Sequence, residues 1–198
     1  MIGDISKDIH EGIIPLQSSI KRRKPRKLPV AVSAEEFRRL IQATNFEHHK
    51  VAFLLGFSSG LRISEILSLE PRCVNIKEKK ILVELGKGSK DRVVPLSKAF
   101  REIHLKFLPI GKYYSGKKSG IRSLEKGFKS AAQRAGLLQA KPTLHFHSLR
   151  HGFATQAVKQ GIPIHHIRTA MGHSNISTTN IYLESNPQEA LRSFEELF

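Results

Sequence analysis

Cysteine is nearly absent from this chain: Cys73 is the only one in 198 residues. One thiol cannot close a disulfide within the chain, and a thiolate metal cluster is excluded with it. The composition therefore suits a reducing, cytoplasmic setting. No apolar run approaches the ~20 residues that a membrane span needs. The N-terminus lacks an apolar stretch and carries Asp4, Asp8 and Glu11, so it does not read as a secretory signal. Acidic residues are also scarce, 17 against 33 Lys and Arg, and the formal net charge is +16. There is no internal repeat. Tyrosine occurs only at Tyr113, Tyr114 and Tyr182.

What is present supports a folded basic domain. Hydrophobic residues make up 39%, enough for a core and against global disorder. The length fits one good-sized domain, or one domain plus an arm. The run Lys21-Arg22-Arg23-Lys24-Pro25-Arg26-Lys27 supplies +6 and residues 1–20 supply −2, which leaves +12 on residues 28–198. The body is basic in its own right, which suits a polyanionic partner, most simply nucleic acid. A basic protein without such a partner has the same composition.

Along the chain, residues 1–30 read as an N-terminal arm with a basic linker that either touches phosphates or stays in water. Order begins at Ser33, where Ser33-Ala34-Glu35-Glu36 predicts a capping box. Phe37, Leu40 and Ile41 follow at helical spacing. A second helix is predicted over roughly 46–57, ended by Ser58-Ser59-Gly60, and a short third one buries Ile63, Ile66 and Leu67. The pattern then becomes strand-like at 80–85 and 91–96, around the Gly-rich turn Gly86-Lys87-Gly88-Ser89-Lys90. This predicts a β-hairpin, with a preceding strand over Cys73 to Ile76. Helices are expected at about 98–108, 120–135, 147–160, 163–171, 176–184 and 187–197. The fold class is mainly α with a small antiparallel β-sheet, an α+β arrangement.

Four segments offer residues suited to phosphate chemistry. In Gly60-Leu61-Arg62-Ile63-Ser64-Glu65, Arg62 enters a helix where a guanidinium can meet an anion. Glu65 lies on the same face and can hold the guanidinium plane. A surface ion pair explains the same residues. The hairpin tip carries Lys87 and Lys90, which equally well form a solvated turn. In His145-Phe146-His147-Ser148-Leu149-Arg150-His151, His147 and Arg150 can face one site. His147 and His151 also have zinc-chelating spacing but no third ligand nearby in sequence. His165 and His166 point to different helix faces and read as ordinary histidines. The last segment runs from Met171-Gly172-His173 to Ile181-Tyr182, where a tyrosine among apolar neighbours reads alone as a core or rim aromatic.

Taken in order, these four segments resemble the tyrosine recombinases, in their Xer and phage-integrase branch. The resemblance covers roughly residues 28–198. It implies a tyrosine recombinase catalytic-domain fold over 31–198. The active-site set it implies is Arg62, Lys87, His147, Arg150, His173 and Tyr182, with Glu65 in a supporting place. Tyr182 would attack a DNA phosphodiester and form a link to the 3′-phosphate, releasing a 5′-hydroxyl. Arg62 and Arg150 would clamp the non-bridging oxygens with paired hydrogen bonds. His147 would act as base, His173 as a second donor to the phosphate, and Lys87 as acid to the leaving oxygen. Lys21, Arg22, Arg23, Lys24, Arg26, Lys27, Lys90 and Arg92 are candidates for DNA contact. No metal and no cofactor is expected.

The implied partners are double-stranded DNA and further copies of the chain: a homo-tetramer on DNA, a monomer when free, and no membrane. The implied setting is the prokaryotic cytoplasm, with the nucleoid. Family members carry a further helical domain before the linker, which 30 residues cannot supply. The sequence thus reads as a fragment or as a catalytic domain alone. Two other readings remain: a relaxing type IB topoisomerase of the same chemistry, and a non-catalytic DNA-binding module. The tail over 187–197 carries Leu191, Phe194 and Phe198 at helical spacing, an apolar stripe that docks in cis or on a neighbouring protomer.

Overall fold

The structure is a computed structural model, and it describes residues 29–84 and 91–172. Seven helices form most of it: α1 (Ala34–Gln42), α2 (Glu47–Ser58), α3 (Ile63–Ser68), α4 (Lys117–Arg134), α5 (Leu137–Ala140), α6 (His147–Lys159) and α7 (Ile164–Met171). Three strands, β1 (Val74–Asn75), β2 (Lys80–Val83) and β3 (Arg92–Pro95), make one antiparallel sheet in the order β1-β2-β3. The mainly helical α+β arrangement expected from the sequence is what is found.

The local signals operate as physical chemistry predicts. Glu36 N–H donates to Ser33 Oγ at 3.2 Å, and Ser33 N–H donates to Glu36 Oε2 at 2.8 Å, closing the capping box of α1. In the sheet, Val83 faces Arg92, Leu82 faces Val93 and Ile81 faces Val94. Burial alternates along both strands, so Ile81, Val83 and Val94 enter the core while Leu82 and Val93 face out. The helix expected at 98–108 is instead a 3-10 helix over Glu102–Phe107. Leu105 and Phe107 pack against the core only partly buried, and Pro109 stands just beyond, so the segment is too short to favour an α-helix. Gly136, at φ +70°, turns the chain into the short α5, which the sequence pattern did not announce.

The core is centred on α2, which packs against α6, α4 and α3. Phe53 is fully buried and meets Phe128 of α4 and Phe146 edge-on, each with ring centroids 5.7 Å apart. Truncating such a ring to alanine costs about 3–5 kcal/mol. A smaller cluster of Ala154, Ala157, Ile167 and Met171 fastens α7 to α6. The incoming chain is pinned to α6, where Val32 N–H donates to Ser148 O at 3.1 Å, and to the end of α5, where Lys141 Nζ donates to Ala31 O at 3.0 Å. Among the described residues no helix is long and apolar enough to cross a membrane.

Candidate active site

The end of α2 and the start of α3 form the first wall of the site. Gly60 turns the chain at φ +65°, and a β-carbon there would sit 2.6 Å from the Phe153 ring, so glycine is required twice over. Arg62 is the N-cap of α3. Its backbone N–H donates to Glu65 Oε2 at 2.8 Å. Its side chain donates from Nη1 to Glu65 Oε1 at 2.9 Å, as the spacing of the two residues predicted. Arg62 keeps about a third of its side chain exposed, 34%, enough to meet a ligand.

Glu65 is the hub. Its side chain is 9% exposed and also receives both terminal nitrogens of Arg92, Nη1 to Oε1 at 3.0 Å and Nη2 to Oε2 at 2.8 Å. Burial alone would raise the carboxyl pKa. The hydrogen bonds from Arg92, the Arg62 backbone and the Arg62 side chain outweigh it, so the pKa lies below its ordinary value. Arg92, expected at a DNA surface, has only 6% of its side chain exposed. This corrects the sequence expectation: the guanidinium is engaged inside the protein. Strand parity was the signal. Arg92 and Val94 are two apart in β3, so they share the inward face, while Val93 points out.

The opposite wall is α6, whose first turn carries His147 and Arg150. Arg150 is 5% exposed and donates from Nη1 to Gly60 O and from Nη2 to Met171 O. His147 is exposed on this wall. Its pKa is lowered, first by desolvation from the atoms packed around it, then by the positive fields of His145, Arg150 and Arg62. The ring is therefore disposed to be neutral, the form a base requires.

The floor is the C-terminus of α7, and here three consecutive carbonyls each accept from a different arginine. Ala170 O accepts from Arg92 Nε at 2.8 Å, Met171 O from Arg150, and Gly172 O from Arg62 Nη2 at 2.9 Å. These are the carbonyls a helix end leaves without intrahelical donors, and cations are favoured there. Gly172 ends the helix in the left-handed region at φ +60°. A β-carbon on it would lie 3.1 Å from Arg92 Nε. The helix end and the arginines thus hold one another in place. None of these carbonyls has a side-chain signature, so sequence reasoning missed them.

Of the residues singled out in the sequence, Arg62, Glu65, His147 and Arg150 are brought together. Lys87, Lys90, His173, Tyr182, the cations at 21–27 and the tail at 187–197 lie outside the described residues. Tyr113 and Tyr114 sit elsewhere: Tyr113 stacks on His48 at 4.3 Å, and the Tyr114 hydroxyl pairs with His49 Nε2 at 2.9 Å. Both histidines are in the first turn of α2, whose remaining nine to ten residues separate them from its site end by about 14–15 Å. Among the described residues, no group of three or more His, Cys, Asp or Glu could hold a metal ion.

This arrangement has relatives. A tyrosine recombinase of Thermosipho africanus is 32% identical over 196 residues, covering 92% of this chain and 67% of that protein. The tyrosine recombinase XerA of Thermococcus kodakarensis is 34% identical over 185 residues, covering 87% and 64%. Among solved structures, a XerA recombinase superposes with a TM-score of 0.63 at 25% identity, over 89% of this chain and 66% of that one. A XerH site-specific recombinase, solved bound to palindromic difH substrate as a post-cleavage complex, shares the fold with a TM-score of 0.68 at 23% identity. It is matched over 84% of this chain and 53% of its own. The chain thus spans about two thirds or less of the length of these relatives. The sequence profile of the phage integrase family matches residues 31–189, and the chain belongs to that family, the tyrosine recombinases.

Proposed function

We propose that this chain cuts and rejoins DNA strands as a site-specific recombinase, with Tyr182 as nucleophile. The observation that carries the reading is the convergence of Arg62 and Arg150 on the end of α7, beside His147. Two guanidiniums from separate helices, oriented by backbone carbonyls, make a preorganised receptor for a phosphate. The chain leaves that receptor at Gly172 and continues through His173 to Tyr182.

In this reading the Tyr182 hydroxyl oxygen attacks phosphorus and its proton passes to His147. Charge grows on the non-bridging oxygens, where Arg62 and Arg150 meet it. Each such donor contributes about 3–4 kcal/mol in comparable anionic transition states. The bond from phosphorus to the 5′ oxygen breaks, and Lys87 protonates that oxygen. The product is a 3′-phosphotyrosine link and a free 5′-hydroxyl. Attack by a DNA 5′-hydroxyl on the link runs the same steps backwards and rejoins the strand. His173 donates to the phosphate, and no metal enters any step.

Residues 31–198 act as the catalytic domain, and residues 1–30 as an arm whose cations at 21–27, with Lys90, touch phosphates. The partners are double-stranded DNA and three further copies of the chain, in the prokaryotic cytoplasm with the nucleoid. The test uses nicked duplexes with a randomised centre, because the target sequence is open. Covalent complexes are recovered under denaturing conditions and their DNA is sequenced. The wild-type chain should yield an adduct, in EDTA as well, that Tyr182→Phe lacks while still binding DNA. An adduct that persists in Tyr182→Phe, or is lost on chelation and restored by metal, defeats the reading. Relaxation of supercoiled plasmid by monomers, without strand exchange, would instead identify a topoisomerase.

A further inference from the structure

The recombinase reading leaves one buried cation without a role. Arg92 spends its guanidinium on two parts of the site at once: both terminal nitrogens on Glu65, and Nε on Ala170 O. Glu65 in turn holds the Arg62 guanidinium and the Arg62 backbone N–H. Ala170 O is one of the three carbonyls at the end of α7, and Gly172 lies against the Arg92 side chain, where a β-carbon would sit 3.1 Å from Nε. We infer that Arg92 is a positioning residue for strand cleavage: through Glu65 it sets the Arg62 guanidinium, and through Ala170 it fixes the helix end that Arg62 and Arg150 share.

The chemistry favours this over a simple structural ion pair. With Arg92 absent, Glu65 loses the strongest of the contacts that hold its charge against burial, and among the described residues Arg62 is left as its guanidinium partner. The carboxylate would then draw Arg62 inward, away from a phosphate. Lysine cannot replace the pair of parallel hydrogen bonds plus the third bond from Nε, because it offers one nitrogen on a flexible stem. A shift of about 1 Å in a group that aligns reacting atoms can cost about a hundredfold in rate.

The inference rests on the recombinase reading, and the experiment separates the two. Adduct formation is timed with the nicked duplex selected above, for wild type, Arg62→Ala and Arg92→Lys. The measurement is repeated with a methylphosphonate at the scissile position. That group is neutral and removes one of the charges a guanidinium must meet. If Arg92 acts through Arg62, Arg92→Lys loses between about tenfold and a hundredfold on the phosphodiester. Its deficit shrinks on the methylphosphonate in step with that of Arg62→Ala, while DNA affinity stays near wild type. Equal slowing on both substrates, or a wild-type rate on the phosphodiester, overturns the inference. If Arg92→Lys does not fold, Glu65→Gln is read by the same ratio and decides in the same way. A wild-type chain that forms no adduct defeats the recombinase reading, and the inference with it.

Discussion

Arg62 and Arg150 donate to the carbonyls of neighbouring residues, Gly172 and Met171, at the end of one helix. They reach it from opposite walls, one entering α3 and the other in the first turn of α6. Their burial differs, and so should the consequences of losing them. Either alanine substitution should slow adduct formation by at least about a hundredfold, close to 2.7 kcal/mol at the transition state. Arg150→Ala should also lower the melting temperature clearly, because Gly60 O and Met171 O lose a buried donor. Each carbonyl so stranded costs about 1–3 kcal/mol. Arg62→Ala should melt near wild type, since Glu65 keeps Arg92. Melting curves paired with cleavage rates check this, and equal destabilisation by the two would contradict it.

The acid limb of cleavage should lie lower than that of an ordinary histidine. His147 has its pKa lowered from 6.5 by desolvation and by His145, Arg150 and Arg62. The neutral form, which can take a proton, therefore persists as pH falls through 6.5. The rate measured at subsaturating DNA reports the free enzyme. It should stay level through that region and drop only below it. A half-maximal point at or above 6.5 would remove His147 as the base.

Folding stability should carry a separate pH dependence from His49. This side chain is buried, its pKa is lowered to about 4 by burial and then by the charge on His48, and its Nε2 pairs with the Tyr114 hydroxyl. The folded value lies below the unfolded one, so the unfolded chain binds the proton more tightly. The contribution is complete above about pH 6.5 and is lost as pH falls towards 4, by an amount of order 2–3 kcal/mol. Denaturant melts of wild type and His49→Gln across that window should diverge at the high end and converge at the low end. Parallel curves would place the titration elsewhere.

Binding to duplex DNA should weaken steeply as salt rises, because cations that neutralise phosphates release counterions. Deleting residues 1–27, which hold the +6 run, should flatten the logarithmic slope by about 0.9 for each phosphate that the run neutralises. An unchanged slope would show that the run is a passive linker.

What the sequence made legible was local. The Ser33–Glu36 box, the Arg62–Glu65 pair and the placing of His147 and Arg150 at the start of α6 depend on spacings of three residues in one helix turn. The β2–β3 register follows from period-two burial. The rest was decided by distant parts of the chain. Arg92 meets Glu65 and Ala170 only because β3 packs beside α7. Met171 O and Gly60 O are backbone atoms, and any residue at those positions would carry them. An arginine after a lysine-rich turn looks like a surface cation until the parity of its strand is counted. The segment after Ser97 failed for a different reason: Phe100 and Leu108 are buried at its ends, Leu105 and Phe107 only partly between them, and Pro109 follows, so the chain packs as a short 3-10 turn and not as a long α-helix.

The bond from Val32 N–H to Ser148 O joins the incoming chain to α6 one residue from His147 and two from Arg150. Lys141 anchors the neighbouring Ala31 carbonyl. Any tension on the polypeptide ahead of residue 29 is therefore delivered to the first turn of the helix that bears the histidine and the second arginine. The attachment works as a lever with a short arm. If the cations at 21–27 hold DNA as proposed, that grip shares a mechanical joint with the proposed site.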